Sequence, residues 1–195
     1  MKKRALVTGI TGQDGHHLTK LLLEKGYEVQ GIVNGQRNSR EQSFTSLFPE
    51  VKLMRGDLTD FTSLLQIVEE AAPQEIYNLG AISFVGMSFQ QPELTANITG
   101  LGALRLLEAV RKVGLEKSTR IYQASSSEMF GKVRETPQTE LTPFHPRSPI
   151  RFASGLIPLR PFPPAACSMS CDDSSWRSGF PGRSTTFVES AVEKV

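Results

Sequence analysis

The stretch that most constrains this chain runs from Ala5 to Gly15, Ala-Leu-Val-Thr-Gly-Ile-Thr-Gly-Gln-Asp-Gly. Leu6 and Val7 belong to a short apolar strand. Glycines at 9, 12 and 15 then open a segment, His16 to Lys25, whose leucines recur at helical spacing. The pattern predicts a strand, a glycine turn and a helix, and a second strand follows at Tyr27 to Val33. Gly9 can turn tightly, Gly12 can lie against phosphates, and Gly15 lets the helix pack closely on the strand. A dinucleotide pyrophosphate needs such a turn, because it must approach backbone N–H groups at the positive end of a helix and side chains would block it. A plain glycine turn without a ligand is the alternative; the strand before it and the helix and strand after it favour the dinucleotide reading. Thr11, Gln13 and Asp14 lie inside the turn and are candidate cofactor contacts.

The rest of the chain reads as further strand and helix alternation, which predicts an α/β fold with a doubly wound, Rossmann-like parallel sheet. At the end of the second strand an acidic residue would bind the ribose 2′-hydroxyl of NAD, whereas arginines accommodate the 2′-phosphate of NADP. Here the chain reads Val33-Asn-Gly-Gln-Arg-Asn-Ser-Arg40, with no acid until Glu41. This favours NADP, with Arg37 and Arg40 as its candidate contacts; the alternative is a solvated polar loop. Val51 to Arg55 is a third strand, followed by Asp57-Leu58 and an amphipathic helix to about Ala72, with Asp60 as its N-cap. Glu75 to Leu79 is a fourth strand. The small residues after it, Gly80, Ala81 and Ser83, with Leu79, leave room for cofactor at the carboxyl end of a central strand. A helix is expected from Pro92 to about Val113. Gly100 and Gly102 within it cost about 1 kcal/mol each relative to alanine, so they predict close packing on the sheet or on another subunit. Arg120 to Ala124 is a fifth strand, delivering Ser125-Ser126-Ser127-Glu128 to the same edge.

Composition narrows the possibilities. A formal charge of +2 over 195 residues, with no basic stripe interleaved with aromatics, gives no support for nucleic-acid binding. No run approaches the roughly 18 apolar residues of a membrane span. The basic start is soon interrupted by Gly9, Gln13 and Asp14, so a cytoplasmic location is expected. Cys167 and Cys171 are too few for a disulfide framework or a zinc site, and His16, His17 and His145 have no metal spacing, so no metal is expected.

Four segments together carry a family resemblance: Gly9 to Gly15, Tyr77-Asn-Leu-Gly-Ala81, Tyr122-Gln-Ala-Ser-Ser-Ser-Glu-Met-Phe-Gly131 and Glu140-Leu-Thr-Pro-Phe-His-Pro-Arg-Ser-Pro149. Over residues 3–149 the chain resembles the GDP-mannose 4,6-dehydratases, of the extended short-chain dehydrogenase branch that acts on nucleotide sugars. The resemblance implies an internal redox dehydration of GDP-mannose with NADP: hydride leaves C4, the 4-keto group acidifies the C5 proton, water leaves from C6, and the hydride returns to C6. It implies that Ser126 hydrogen-bonds the sugar 4-oxygen and that Glu128 is the acid/base at C5 and C6, a task suited to a carboxylate. It also implies that Asp57, otherwise a turn aspartate, accepts from the adenine amine beside Leu58, and that the intact family forms homo-oligomers.

Two departures from the family pattern stand out. Asn34 and Gly35 occupy the place where much of the family carries adjacent arginines. The family then continues Ser-Pro-Tyr-x-x-x-Lys, whereas this chain has Ser148-Pro-Ile150-Arg-Phe-Ala-Ser154. Ile150 and Ser154 cannot replace the tyrosine acid/base and the lysine that lowers its pKa, and losing a positioned acid/base costs roughly 100- to 10,000-fold in rate. From residue 150 the pattern changes: four prolines between 158 and 164 break up the segment, both cysteines and the only tryptophan occur there, and its serines and arginines follow no helical or strand period. We read residues 1–149 as an NADP-binding domain and 150–195 as an aberrant tail, from a changed reading frame or gene-model error or, alternatively, from divergence. The sheet is expected to stop after about five strands, with exposed edges and no substrate domain. The rival functional readings are a non-catalytic NADP-binding module and another nucleotide-sugar epimerase or dehydratase.

Overall fold

The computed structural model describes residues 2–35, 38–125, 127–133, 135–137, 139, 141–155 and 167–170. Strands and helices alternate: β1 Arg4–Thr8, α1 Gln13–Glu24, β2 Glu28–Val33, α2 Ser39–Leu47, β3 Lys52–Arg55, α3 Phe61–Ala71 and β4 Glu75–Asn78. There follow α4 Val85–Gln90, α5 Pro92–Thr95, a π-helical turn Ala96–Leu101, α6 Gly102–Val113, β5 Arg120–Ala124, a 3₁₀ turn Ser127–Phe130, α7 Pro149–Gly155 and β6 Cys167–Ser170. The strands lie in the order β3-β2-β1-β4-β5-β6 and every pairing is parallel. This is the Rossmann-like doubly wound sheet expected from the sequence. Its strand order reverses between β1 and β4, which places a ligand crevice at their carboxyl ends.

A parallel sheet covered on both faces needs apolar residues on both sides of each strand, and β1 supplies them. Leu6 joins Ile32, Met54, Ile76 and Ile121 under α3 and α6. Its neighbours Ala5 and Val7 join Val29, Val33, Tyr77 and Tyr122 under α1 and α2. Asp60 caps α3 as expected, its carboxylate accepting from Thr62 N at 3.0 Å.

The helix expected from Pro92 to Val113 is interrupted by its π turn. Arg105 reaches across that turn, donating to Asn97 O at 3.1 Å, Asn97 Oδ1 at 2.7 Å and Leu58 O at 3.2 Å. The two glycines do mark close packing, although against neighbours other than those expected. A Cβ on Gly102 would lie 2.8 Å from Leu58 Cβ, and one on Gly100 would lie 3.1 Å from Ala153 O of α7. After β2, where no element is read from the sequence, the chain forms α2, capped by Asn38, whose side chain accepts from Glu41 N at 3.1 Å. Past the expected boundary at residue 149, α7 buries Ile150 and Ala153. The tail, for which no strand pattern is legible, adds β6 alongside β5, one strand beyond the five or so expected.

At the amino-terminal edge of the sheet, Glu75 is buried and accepts from Tyr77 OH at 2.9 Å and Lys3 Nζ at 3.3 Å. Burial first, and then the Glu75 charge, push the Tyr77 phenol far above the ordinary value of 10.0. The hydrogen bond to Glu75 raises Lys3 above its usual 10.5. Both groups hold their protons more tightly folded than unfolded. Their contribution to stability is therefore whole below the unfolded values of about 10 and is lost as pH rises beyond them. Urea melts from about pH 8 to about pH 11 are expected to show stability falling above about pH 10. Tyr77→Phe should flatten that fall, and an equally steep fall in the variant would contradict the assignment.

Candidate functional site

The crevice is built by two loops that touch back to back. Gly9 follows β1 with φ +66°, and a Cβ there would lie 2.9 Å from both Gly80 N and Leu79 C in the loop after β4. Gly80 is confined in turn: its Cβ would meet Leu58 Cδ1 at 2.8 Å and Thr8 Oγ1 at 2.9 Å. Gly9, Leu58, Leu79 and Gly80, four of the expected cofactor residues, thus converge at the switch point. Gly15 lies against β1's exit, where a Cβ would run into the Ile10 carbonyl.

Gly12 is different. It is exposed at the N-cap of α1 with extended backbone, and among the described residues a Cβ there would meet only Gly9 O, at 3.1 Å. No described side chain caps the helix, so the first-turn amides at Gln13, Asp14 and Gly15 are left for an external acceptor. The bare Gly12, facing space that a Cβ would fill, fits a pyrophosphate. Thr11 is half-buried in the turn, and Gln13 and Asp14 are exposed in the first turn of α1. His16 Nδ1 lies 2.7 Å from Gly12 O and so carries its proton on that nitrogen; its ring meets Phe44 of α2 edge-on at 5.1 Å.

Asp57 is used locally, its Oδ1 accepting from Thr59 N and Thr59 Oγ1, each at 2.7 Å. Ala81 and Ser83 lie along the loop after β4, which is pinned to the π turn by Ile82 N donating to Thr99 Oγ1 at 3.2 Å. Arg40 is exposed in the first turn of α2. Arg37 and Ser126 lie outside the described residues, as does the side chain of Glu128; the Glu128 backbone belongs to the 3₁₀ turn after β5. Ile150 and Ser154 sit one turn apart on α7, with Ser154 Oγ donating to Ile150 O at 3.0 Å. Among the described residues no group of three His, Cys, Asp or Glu side chains is placed to hold a metal ion. Nor is any helix there long and apolar enough to cross a membrane.

Sequence reasoning missed a polar rung beneath the crevice. Thr8, Asn78 and Gln123 lie side by side at the carboxyl ends of β1, β4 and β5, all buried. Gly80 N donates to Thr8 Oγ1 at 2.9 Å, and Thr8 Oγ1 donates to Asn78 Oδ1 at 2.5 Å. Asn78 Nδ2 donates to Gln123 Oε1 at 2.7 Å, and Gln123 Nε2 to Ala124 O at 2.8 Å. Every donor points the same way, from the glycine loops toward the exit of β5. The available signal was a polar residue at or next to the carboxyl end of each of the three strands.

With this geometry in view, comparisons with known proteins identify the lineage. Residues 6–153 match the family model described as GDP-mannose 4,6 dehydratase. The chain belongs to the GDP-mannose 4,6-dehydratase family. It is 52% identical to GDP-mannose 4,6-dehydratase of Vibrio cholerae over 160 residues, covering 78% of this chain and 43% of that protein. It is likewise 52% identical to the Homo sapiens GDP-mannose 4,6 dehydratase over 153 residues, covering 74% of this chain and 41% of the relative. The chain thus spans less than half the length of these dehydratases. Among solved structures, UDP-glucose 4-epimerase of Thermus thermophilus, in complex with NAD, superposes with a TM-score of 0.66 at 30% identity. That match covers 77% of this chain and 47% of the epimerase.

Proposed function

We propose that this chain is the dinucleotide-binding part of a GDP-mannose 4,6-dehydratase, that it takes NADP, and that as it stands it does not turn over GDP-mannose. The observation that carries the reading is the uncapped start of α1 with Gly12 bare in front of it, beside a Gly9–Gly80 contact that leaves no room for side chains. The family membership and the NAD complex of the epimerase support a nicotinamide dinucleotide there. When bound, NADP would supply a hydride acceptor for C4 of the mannose and return the same hydride to C6.

This chain's own residues would do the rest. Amides of the α1 first turn would hold the pyrophosphate, and Asp57 and Leu58 would border the adenine. Ser126 would hold the sugar 4-oxygen, and the Glu128 carboxylate would move the C5 proton and protonate the departing C6 oxygen. What fails is deprotonation of the C4 hydroxyl. Ile150 carries no titratable group and is buried, and Ser154 spends its hydroxyl on the Ile150 carbonyl. With no acid/base at the first of these positions and no lysine at the second, hydride removal from C4 has no partner for its proton.

Purified chain is therefore expected to bind NADPH while giving no detectable 4-keto sugar from GDP-mannose and NADP. Intrinsic fluorescence quenching and a chromophoric assay for the keto product read the two separately. Turnover would overturn the inactivity, whereas absence of NADPH binding would overturn the dinucleotide reading. Turnover of a UDP- or dTDP-hexose in place of GDP-mannose would move the chain to another branch of the superfamily.

A further inference from the structure

The end of β2 decides which dinucleotide a sheet of this kind accepts, and here it carries a charge pair that the sequence pattern does not reveal. Glu41 is the first carboxylate after β2. It stands in the first turn of α2, where the helix dipole favours a negative charge, and is only 5% exposed. By itself at this place, its carboxylate would be an acceptor for a ribose 2′-hydroxyl and a repellent for a 2′-phosphate.

The carboxylate is instead clamped. Arg55 ends β3, directly opposite Val33 at the end of β2. Its Nη1 donates to Glu41 Oε2 at 2.8 Å and its Nη2 to Glu41 Oε1 at 2.5 Å. Nη1 also reaches Gly35 O, at 3.3 Å, in the loop that leaves β2. The planar fork takes both carboxylate oxygens at once, a geometry that lysine cannot reproduce. The Arg55 side chain is 47% exposed against 6% for Glu41, so the guanidinium covers the carboxylate from the solvent side.

We propose that Arg55 is a specificity-determining residue that selects a 2′-phosphorylated dinucleotide by cancelling Glu41. It removes a nearby acceptor that would reward a free 2′-hydroxyl and neutralises the charge that would repel a phosphate. Specificity here is exerted against the wrong ligand as much as toward the right one. This rests on the dinucleotide reading above, with the adenosine ribose at the end of β2.

The test uses the full chain and the dissociation constants of NADPH and NADH, measured by nicotinamide fluorescence. The wild type is expected to prefer NADPH by about tenfold or more, a difference of about 1.4 kcal/mol. Arg55→Met should reduce that preference at least tenfold, weakening NADPH and tightening NADH. Adding Glu41→Gln to Arg55→Met should restore the preference to within about threefold of wild type. Rescue separates cancellation of Glu41 from a direct Arg55–phosphate contact, which Glu41→Gln would not repair. Because Arg55→Met leaves a buried charge without this partner and can fail to fold, Arg55→Lys is the second variant. It keeps the charge but not the fork, and should lower the preference about threefold.

An unchanged preference in a folded Arg55 variant, or no rescue by Glu41→Gln, overturns the proposal while leaving dinucleotide binding intact. A wild type that binds both nucleotides equally does the same. A wild type that binds neither overturns the dinucleotide reading, and the proposal with it.

Discussion

Gly15→Ala is expected to lower the thermal midpoint of this chain by roughly 4–8 °C, whereas Gly12→Ala, three residues away, should leave it nearly unchanged and weaken dinucleotide binding instead. Helix propensity alone favours alanine by about 1 kcal/mol in a helix interior. At Gly15 that gain loses to sterics. The new methyl would run into the Ile10 carbonyl and lie 2.7 Å from Gly9 O, and backbone atoms cannot rotate away as a side chain would. Forcing the helix off the strand costs about 3 kcal/mol, the upper end of ordinary overpacking. The net loss of about 2 kcal/mol gives the stated shift for a chain of this size. At Gly12 the backbone is extended, φ −79° and ψ 174°, a conformation alanine adopts freely, and its near neighbour among the described residues is Gly9 O at 3.1 Å. Stability should change by less than about 1 kcal/mol. The methyl projects where phosphate oxygens would meet the α1 amides, so NADPH affinity should fall at least tenfold, or about 1.4 kcal/mol. Thermal melts with and without NADPH read both effects. Equal destabilisation by the two substitutions would contradict this division of labour.

The second large effect concerns the rung under the crevice. Asn78→Leu removes the acceptor for Thr8 Oγ1 and the donor for Gln123 Oε1 together, in a place from which water is excluded. Each stranded group costs about 1–3 kcal/mol, so the expected loss for the two is about 2–6 kcal/mol by urea denaturation. Combining Asn78→Leu with Gln123→Leu should be less than additive by about 0.5–3 kcal/mol, because the second substitution removes a group the first had already stranded. A loss below about 0.5 kcal/mol, within the range of an ordinary surface change, would show that the rung contributes little. The consequence reaches the site as well. Thr8 holds Gly80 N while Gln123 holds Ala124 O, so the rung fixes the glycine loops relative to the strand that carries the serines.

The alternation of the elements, the glycine turn and the cap at Asp60 were legible in the sequence because each is a local event. A carboxylate two residues from an amide, or a glycine between a strand and a helix, needs no distant partner to be recognised. The family resemblance at residues 3–149 drew on the same local signals, and it named the departures at Ile150 and Ser154 for the same reason. Helix α2 was missed because residues 39–47 carry no apolar stripe. What holds that helix is Phe44 buried against β-sheet partners and Glu41 clamped by Arg55, and neither contact has a sequence period. The π turn was missed similarly, since Arg105 gathers Asn97 and Leu58 from separate elements.

The sequence by itself determined that this chain forms a parallel sheet with helices on both faces and places a glycine turn at its carboxyl edge, because hydrophobic period and turn chemistry act within a few residues. Only the tertiary structure decided which side chains are spent on one another. Glu41 is taken by Arg55, Asn78 by Thr8 and Gln123, and the Ser154 hydroxyl by a backbone carbonyl. Whether a polar group is available to a ligand depends on partners brought near by the strand order β3-β2-β1-β4-β5-β6, and that order is set by packing between residues distant along the chain.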